Sequence, residues 1–183
     1  DYYERLFRLC GTMMQTISEI PQPVIARVHG IATAAGCQLV AQCDLAVAAE
    51  EARFATSGIN VGLFCSTPAV PLSRNVPRKR AFEMLVTGDF VDAKTAAEWN
   101  LINQVVPAAE LDNAVRALAA KIIEKSASAI ATGKQMVYVQ AEKGMAEAYS
   151  YAAHVMATNM MQPDAAEGID AFMQKRKPNW QTP

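Results

Sequence analysis

The chain has 183 residues and a mass of 19.8 kDa, about one domain's length and enough to bury most of its apolar surface. It is 51% hydrophobic and 19% charged, with a formal net charge of −1, which excludes the basic surface that nucleic acid or an anionic membrane demands. Cys10, Cys37, Cys43 and Cys65 form no CxxC pair, and His29 and His154 lie far apart, so reduced thiols are expected and a metal site is not. With no secretory signal and no apolar run of membrane-spanning length, a soluble, cytosol-like setting is expected.

The first element is a helix over residues 2–19, with Leu6, Leu9, Cys10, Met13, Met14 and Ile17 on one face. Pro21 and Pro23 end it and hand over to a buried strand at Val24–Val28. The small-residue run Gly30–Gly36 then lets the backbone turn sharply before a helix opens at Cys37-Gln38-Leu39. Strand, tight loop and helix N-terminus together aim free N–H groups at negative charge, so this stretch is read as an anion or oxyanion site.

Asp44–Ala49 reads as a second buried strand, apolar throughout as parallel strands tend to be. Arg53–Ala55 and Ile59–Val61 read as short extended pieces around a turn at Thr56-Ser57-Gly58. Ser66 is expected to cap the next helix, with Pro68 and Pro71 confined to its first turn. A helix from Pro77 closes at Gly88; Asp92 caps another, Ala93–Trp99, closed by Asn100; Leu101–Val106 is a strand.

From Ala109 onward the pattern is helical. Leu111, Val115, Leu118, Ile122 and Ile123 make one apolar face, and Tyr149, Ala152, Ala153, Met156 and Met160 another, both read as packing surfaces. His154, on such a face, is read as a packed or interface histidine. A last helix over 165–174 ends in the basic run Lys175-Arg176-Lys177.

These residues, in this order, resemble the crotonase (enoyl-CoA hydratase/isomerase) superfamily. The match runs through Pro23-Val24-Ile25-Ala26, Gly30-Ile31-Ala32, Gly36-Cys37-Gln38-Leu39 and Cys43-Asp44, and ends in Ala171-Phe172 and Lys175-Arg176-Lys177-Pro178. Within the family the stretches Ala32–Val40 and Asn60–Pro68 are similar to the enoyl-CoA hydratase domain-containing protein 3 group. The resemblance implies an α/β fold, a crotonase-like ββα spiral followed by a helical trimerisation region. Residues 1–107 would form the partial spiral core with the oxyanion loop, and 108–183 the C-terminal helical oligomerisation region.

The family's upstream strands, and the Phe-Cys-Ala-Gly-x-Asp-like segment that supplies its second oxyanion donor, have no counterpart in these residues. The resemblance further implies an acyl-CoA thioester as partner, coenzyme A entering only as part of the substrate, and a homotrimer or hexamer. The compartment it implies is the cytoplasm, or the mitochondrial matrix in a eukaryote.

By the same resemblance the N–H of Ala35 is an oxyanion donor; Gly36, Phe64 and Cys65 line the substrate site; Phe172 and Lys175 meet the adenine and phosphates of coenzyme A. Family hydratases use two glutamates as acid and base, and here those positions are Gln38 and Gly58. Glutamine orients water but moves no proton near neutrality, and glycine offers only space. Two readings therefore stand: an acyl-CoA enzyme with weak or altered chemistry, or a non-catalytic acyl-CoA-binding scaffold. A third, the bicarbonate-assisted naphthoyl-CoA-synthase type, shares Ser57-Gly58 but requires Ser and Asp where this chain has Leu63 and Cys65. A Cys65–His29 nucleophile pair would need a lowered thiol pKa and a base in reach.

Overall fold

The structure is a computed structural model and describes residues 1–181. Two compact units are present: Asp1–Ile17 with Val24–Ala119, and Ser18–Pro23 with residues from Ala120 onward.

In the first unit, α1 (Tyr2–Glu19) has the expected bounds, but only Met14 of its apolar face is buried. Leu6, Leu9 and Met13 stay exposed. Strand β1 (Ile25–Val28) leads into β2 (Ile31–Thr33), which the sequence reading took as loop because three residues are too short a run to show strand periodicity. Helix α2 (Ala35–Gln42) starts two residues earlier than expected. Strands β3 (Leu45–Ala49) and β4 (Arg53–Ala55) follow as read.

Residues Ser57–Val61 form a 3₁₀ turn rather than an extended piece, closed by Gly62 at φ 79°. Helix α3 (Ser66–Asn75) takes Cys65, not Ser66, as its N-cap, and Pro71 sits inside it rather than in the first turn. A proline there removes one ladder bond. Helix α4 (Arg78–Thr87) closes at Gly88, with φ 68°. A short β5 (Val91–Asp92) precedes α5 (Ala93–Glu98), where the Asp92 carboxylate accepts the Thr95 N–H at 2.7 Å. Asn100 closes α5 in the left-handed region, φ 65°.

Strand β6 is only Gln104–Val106. Ahead of it, Asn103 grips Ala46 by backbone N–H to carbonyl (2.9 Å) and by its side-chain oxygen on the Ala46 N–H (2.7 Å), replacing ladder with side chain.

The strands make two three-stranded sheets, β1-β3-β6, all parallel, and β2-β4-β5, in which only β4–β5 is antiparallel. Alternation along β3 divides its side chains between two clusters. Val47 and Ala49 meet Leu111, Val115 and Leu118 of α6 (Leu111–Ile123), while Ala46 and Ala48 face Val28, Phe54 and Leu72. A strand covered on both faces has no polar side to show, which is why Leu45–Ala49 reads as unbroken apolar sequence.

The second unit holds α7 (Ala127–Ala141), α8 (Met145–Met160) and α9 (Pro163–Met173). Its fastenings are polar. Asp164 accepts the Ser126 hydroxyl at 2.6 Å and the Gln181 N–H at 2.7 Å, Lys134 donates to the Gln22 carbonyl at 2.9 Å, and the Trp180 indole donates to the Glu124 carbonyl at 2.9 Å. The Tyr149–Met156–Met160 face, read as core or subunit interface, is exposed in the single chain, Met156 at 72%, and His154 is exposed with it. No helix among the described residues is long and apolar enough to cross a membrane.

Candidate active site

The site grows from the junction of β2 and α2. Ala34, between them, has φ 49° and ψ −116°, a turn conformation that glycine adopts freely and alanine adopts under strain. The sharp turn falls within the small-residue run Gly30–Gly36, as expected, and is made by Ala34; Gly30 and Gly36 have no positive φ. Two contacts hold the turn: the Ala34 N–H donates to the Ala55 carbonyl at 3.0 Å, and the Thr33 and Ser57 hydroxyls bond each other at 2.7 Å.

The ladder of α2 begins with Gln38 N–H on the Ala34 carbonyl at 3.0 Å. The N–H groups of Ala35, Gly36 and Cys37 precede it, as helix N-termini require. Ala35 and Gly36 are exposed, and a Cβ built on Gly36 meets nothing within 4 Å, so the backbone there is open to close approach. An open N-terminal turn of this kind suits an oxygen carrying negative charge.

Gln38 is buried, 3% exposed. Its carbonyl oxygen faces the Cys10 thiol of α1 at 3.7 Å, a weak contact. The thiol lies 28 residues upstream in the chain. Cys37, beside it, is buried, and burial together with the nearby Cys65 pushes its thiol up to about 12. Cys37 and Cys65 are buried, and Cys10 and Cys43 partly so.

Gly58 lies in the 3₁₀ turn with Leu63 and Cys65 folded against it: the Leu63 N–H donates to the Gly58 carbonyl at 3.0 Å. Phe64 is exposed and Cys65 buried. Ala35, Gln38, Gly58, Phe64 and Cys65 thus all belong to the first unit. His29 is exposed, whereas Cys65 is buried, and among the described residues no hydrogen bond joins the two.

Phe172 and Lys175 belong to the second unit, at and just beyond the end of α9; both are exposed, and Lys175 has φ 55°. Phe172 lines a largely apolar cavity of about 480 Å³ with Ser126, Met160, Asp164, Ile169 and Trp180. Beyond Lys175, the Arg176 guanidinium grips Glu167 through two bonds of 2.6 and 2.8 Å and, with the Asn179 N–H, draws the Glu167 carboxyl down to about 2. Among the described residues no cluster of His, Cys, Asp and Glu is fit to hold a metal ion. Cys10 and the Thr33–Ser57 pair are the site residues that sequence reasoning missed; short polar side chains far apart in the chain leave no periodic signal.

Comparison with known proteins follows the same lines. The enoyl-CoA hydratase/isomerase family model matches residues 9–183. The human mitochondrial enoyl-CoA hydratase domain-containing protein 3 is 48% identical over 180 residues, 98% of this chain and 59% of the relative; the Xenopus laevis protein of that name is also 48% identical, with 61% of it covered. A solved enoyl-CoA hydratase from Mycobacterium smegmatis superposes with TM-score 0.97 at 58% identity, across 99% of this chain and 70% of that one. The crystal structure of human enoyl-CoA hydratase domain-containing protein 3 gives 0.95 at 48% identity, across 98% and 71%. The chain spans about three fifths of the length of the curated relatives it matches.

Proposed function

The chain belongs to the enoyl-CoA hydratase/isomerase family and has its fold, and from that premise we propose that it binds an acyl-CoA thioester, with the Ala35 N–H against the thioester oxygen, and does not hydrate enoyl-CoA at an ordinary rate. The observation that carries this is the pairing of an open α2 N-terminus with Gln38 and Gly58 at the two glutamate positions. The first feature stabilises an enolate, each such donor contributing ~3–4 kcal/mol to a transition state. The second removes both proton carriers, each typically worth ~10²–10⁴ in rate.

In this reading Gly36, Phe64 and Cys65 border the acyl part, and Phe172 and Lys175 of a neighbouring subunit meet the adenine and phosphates, the lysine as a point charge. Residues 1–107 carry the oxyanion loop, and 108–183 supply the surface of a homotrimer or hexamer. The compartment is the cytoplasm, or the mitochondrial matrix in a eukaryote, as the names of the vertebrate relatives suggest. A second reading, a non-catalytic acyl-CoA-binding scaffold, draws on the exposed face of α8.

Calorimetry with butyryl-CoA and loss of the crotonyl-CoA conjugated absorbance separate the readings. Binding is expected in both. Crotonyl-CoA turnover that disappears in Gln38→Ala would leave the enzyme reading alone; binding without turnover leaves the scaffold. Absence of butyryl-CoA binding overturns both.

A further inference from the structure

The basic run after α9 divides its charges. Among the described residues Lys175 is exposed and pairs with no carboxylate, whereas Arg176 turns onto Glu167, whose side chain is only 16% exposed. The same guanidinium donates to the Gln174 side-chain oxygen at 2.8 Å and to the Lys177 carbonyl at 3.2 Å. Glu167 also accepts the Asn179 N–H at 2.6 Å. One carboxylate thus fastens the chain at Arg176 and again at Asn179.

The turn just ahead of that clamp is strained. The Arg176 N–H donates to the Ala171 carbonyl at 3.0 Å and the Lys175 N–H to the Phe172 carbonyl at 3.2 Å, the pair of bonds that closes a helix through one left-handed residue. Glycine is the usual occupant, yet here lysine takes φ 55°. A residue in that state persists where its surroundings over-determine it, and ligand clamps are one such place. Here the Glu167–Arg176 pair supplies the determination, because Arg176 carries the N–H that closes the turn. Phe172, whose carbonyl takes the Lys175 N–H, lines the apolar cavity of about 480 Å³ together with Trp180. An unpaired ammonium and an apolar, aromatic cavity therefore meet at one helix end, a combination suited to a flat base carried on phosphates.

We infer that Glu167 is a positioning residue for the coenzyme A part of the ligand: through Arg176 it locks the left-handed turn that presents Lys175 to the phosphates. This rests on the acyl-CoA reading and gives Glu167 and the backbone of Lys175 a part in it. The contrary case is a helix end that closes on a lysine only because a cation suits the C-terminal dipole. The two cases differ in sign. By charge alone, removing the Glu167 carboxylate leaves the surface more positive and tightens binding of an anion. If the carboxylate acts by position, the same change loosens it.

The test is calorimetry of the full chain with butyryl-CoA at low and high salt, with the thermal midpoint followed alongside. Lys175→Gly is expected to raise the midpoint, because glycine takes the turn without strain. It should also weaken butyryl-CoA about fivefold, the upper range for one exposed charge pair, and make the affinity fall less steeply with salt. Glu167→Gln is expected to weaken butyryl-CoA about threefold and to flatten the salt dependence in the same way, although it removes a negative charge. Arg176→Lys keeps the charge but not the paired bonds, and should reproduce that loss. Adding Glu167→Gln to Lys175→Gly should lower affinity no further, since the clamp acts through the side chain already removed.

Unchanged or tighter binding in both clamp variants, with Lys175→Gly weakened, overturns the inference, as do losses at 167 and 175 that simply add. A Lys175→Gly protein that binds as tightly as the unaltered chain overturns the role of Lys175 and this inference, and leaves acyl-CoA binding standing. No binding by the unaltered chain overturns the acyl-CoA reading itself.

Discussion

In the first unit Phe54, Leu72, Met84 and Val47 are fully enclosed, whereas among the described residues of the second the buried side chains are Ser126, Lys134, Asp164 and Ala171, three of them polar. The first unit thus draws its stability from apolar burial inside one chain, at about 1.5–3 kcal/mol for each large side chain. The second spends its apolar residues on its surface: Tyr149, Met156, Met160, Phe172 and Met173 are all exposed. Helices without a core are marginal in water, and contiguous exposed apolar side chains mark interaction surfaces. The contrast supports assigning the second unit to assembly.

The largest expected effect lies in the first unit. Phe54→Ala should cost about 3–5 kcal/mol in urea unfolding, because its neighbours in the β2-β4-β5 sheet and α3 cannot close over the void. Met156→Glu should leave the stability of a single chain nearly unchanged, yet reduce the mass seen by light scattering from a multiple of the 19.8 kDa chain to one copy. A Met156→Glu protein of unaltered mass would break the assignment of that face to assembly. Next in size is Asp164→Ala, which removes the acceptor of the Ser126 hydroxyl and of the Gln181 N–H and should cost about 1–3 kcal/mol by the same unfolding measurement. Ala34→Gly runs the other way. Relief of its φ 49° turn should raise stability by about 1 kcal/mol, and a loss instead would mean the turn is unstrained.

The same contrast explains what could be read in advance. Signals confined to a few residues were legible: the Asp92 cap, the closings at Gly88 and Asn100, the bounds of α1, and the apolar β3. Elements set by distant partners were not. Strand β2 exists because Ile31–Thr33 pairs with Arg53–Ala55, and the turn at Ala34 is held by Ala55. The family motif pointed to Ala35, Gln38 and Gly58, but no spacing rule shows that Cys10 meets Gln38 or that Cys65 fills the space beside Gly58. Helical periodicity marked the α8 face as apolar, and burial by another chain and burial within this one write the same pattern.

Glu167 gives the smallest effect and the finest test of polar fastening in the second unit. Its carboxylate holds Arg176 by two bonds and the Asn179 N–H at 2.6 Å, and the Arg176 bond is the main cause of its fall to about 2. An unfolded glutamate titrates near ~4.3. Because the folded value is the lower one, the clamp's contribution is fully present above the unfolded value and is lost as pH falls through about 2. Hydrogen exchange at the Asn179 amide should therefore stay protected from neutral pH to below 4 and lose its protection near 2, relative to the intrinsic rate. Glu167→Gln should accelerate exchange there several-fold at neutral pH while barely moving the global unfolding midpoint, since the pair fastens only the segment beyond α9 and its Arg176 side is open to solvent and screened by salt. Protection that survives Glu167→Gln would show that the chain beyond α9 is ordered by apolar contact, as the first unit is, and not by this pair.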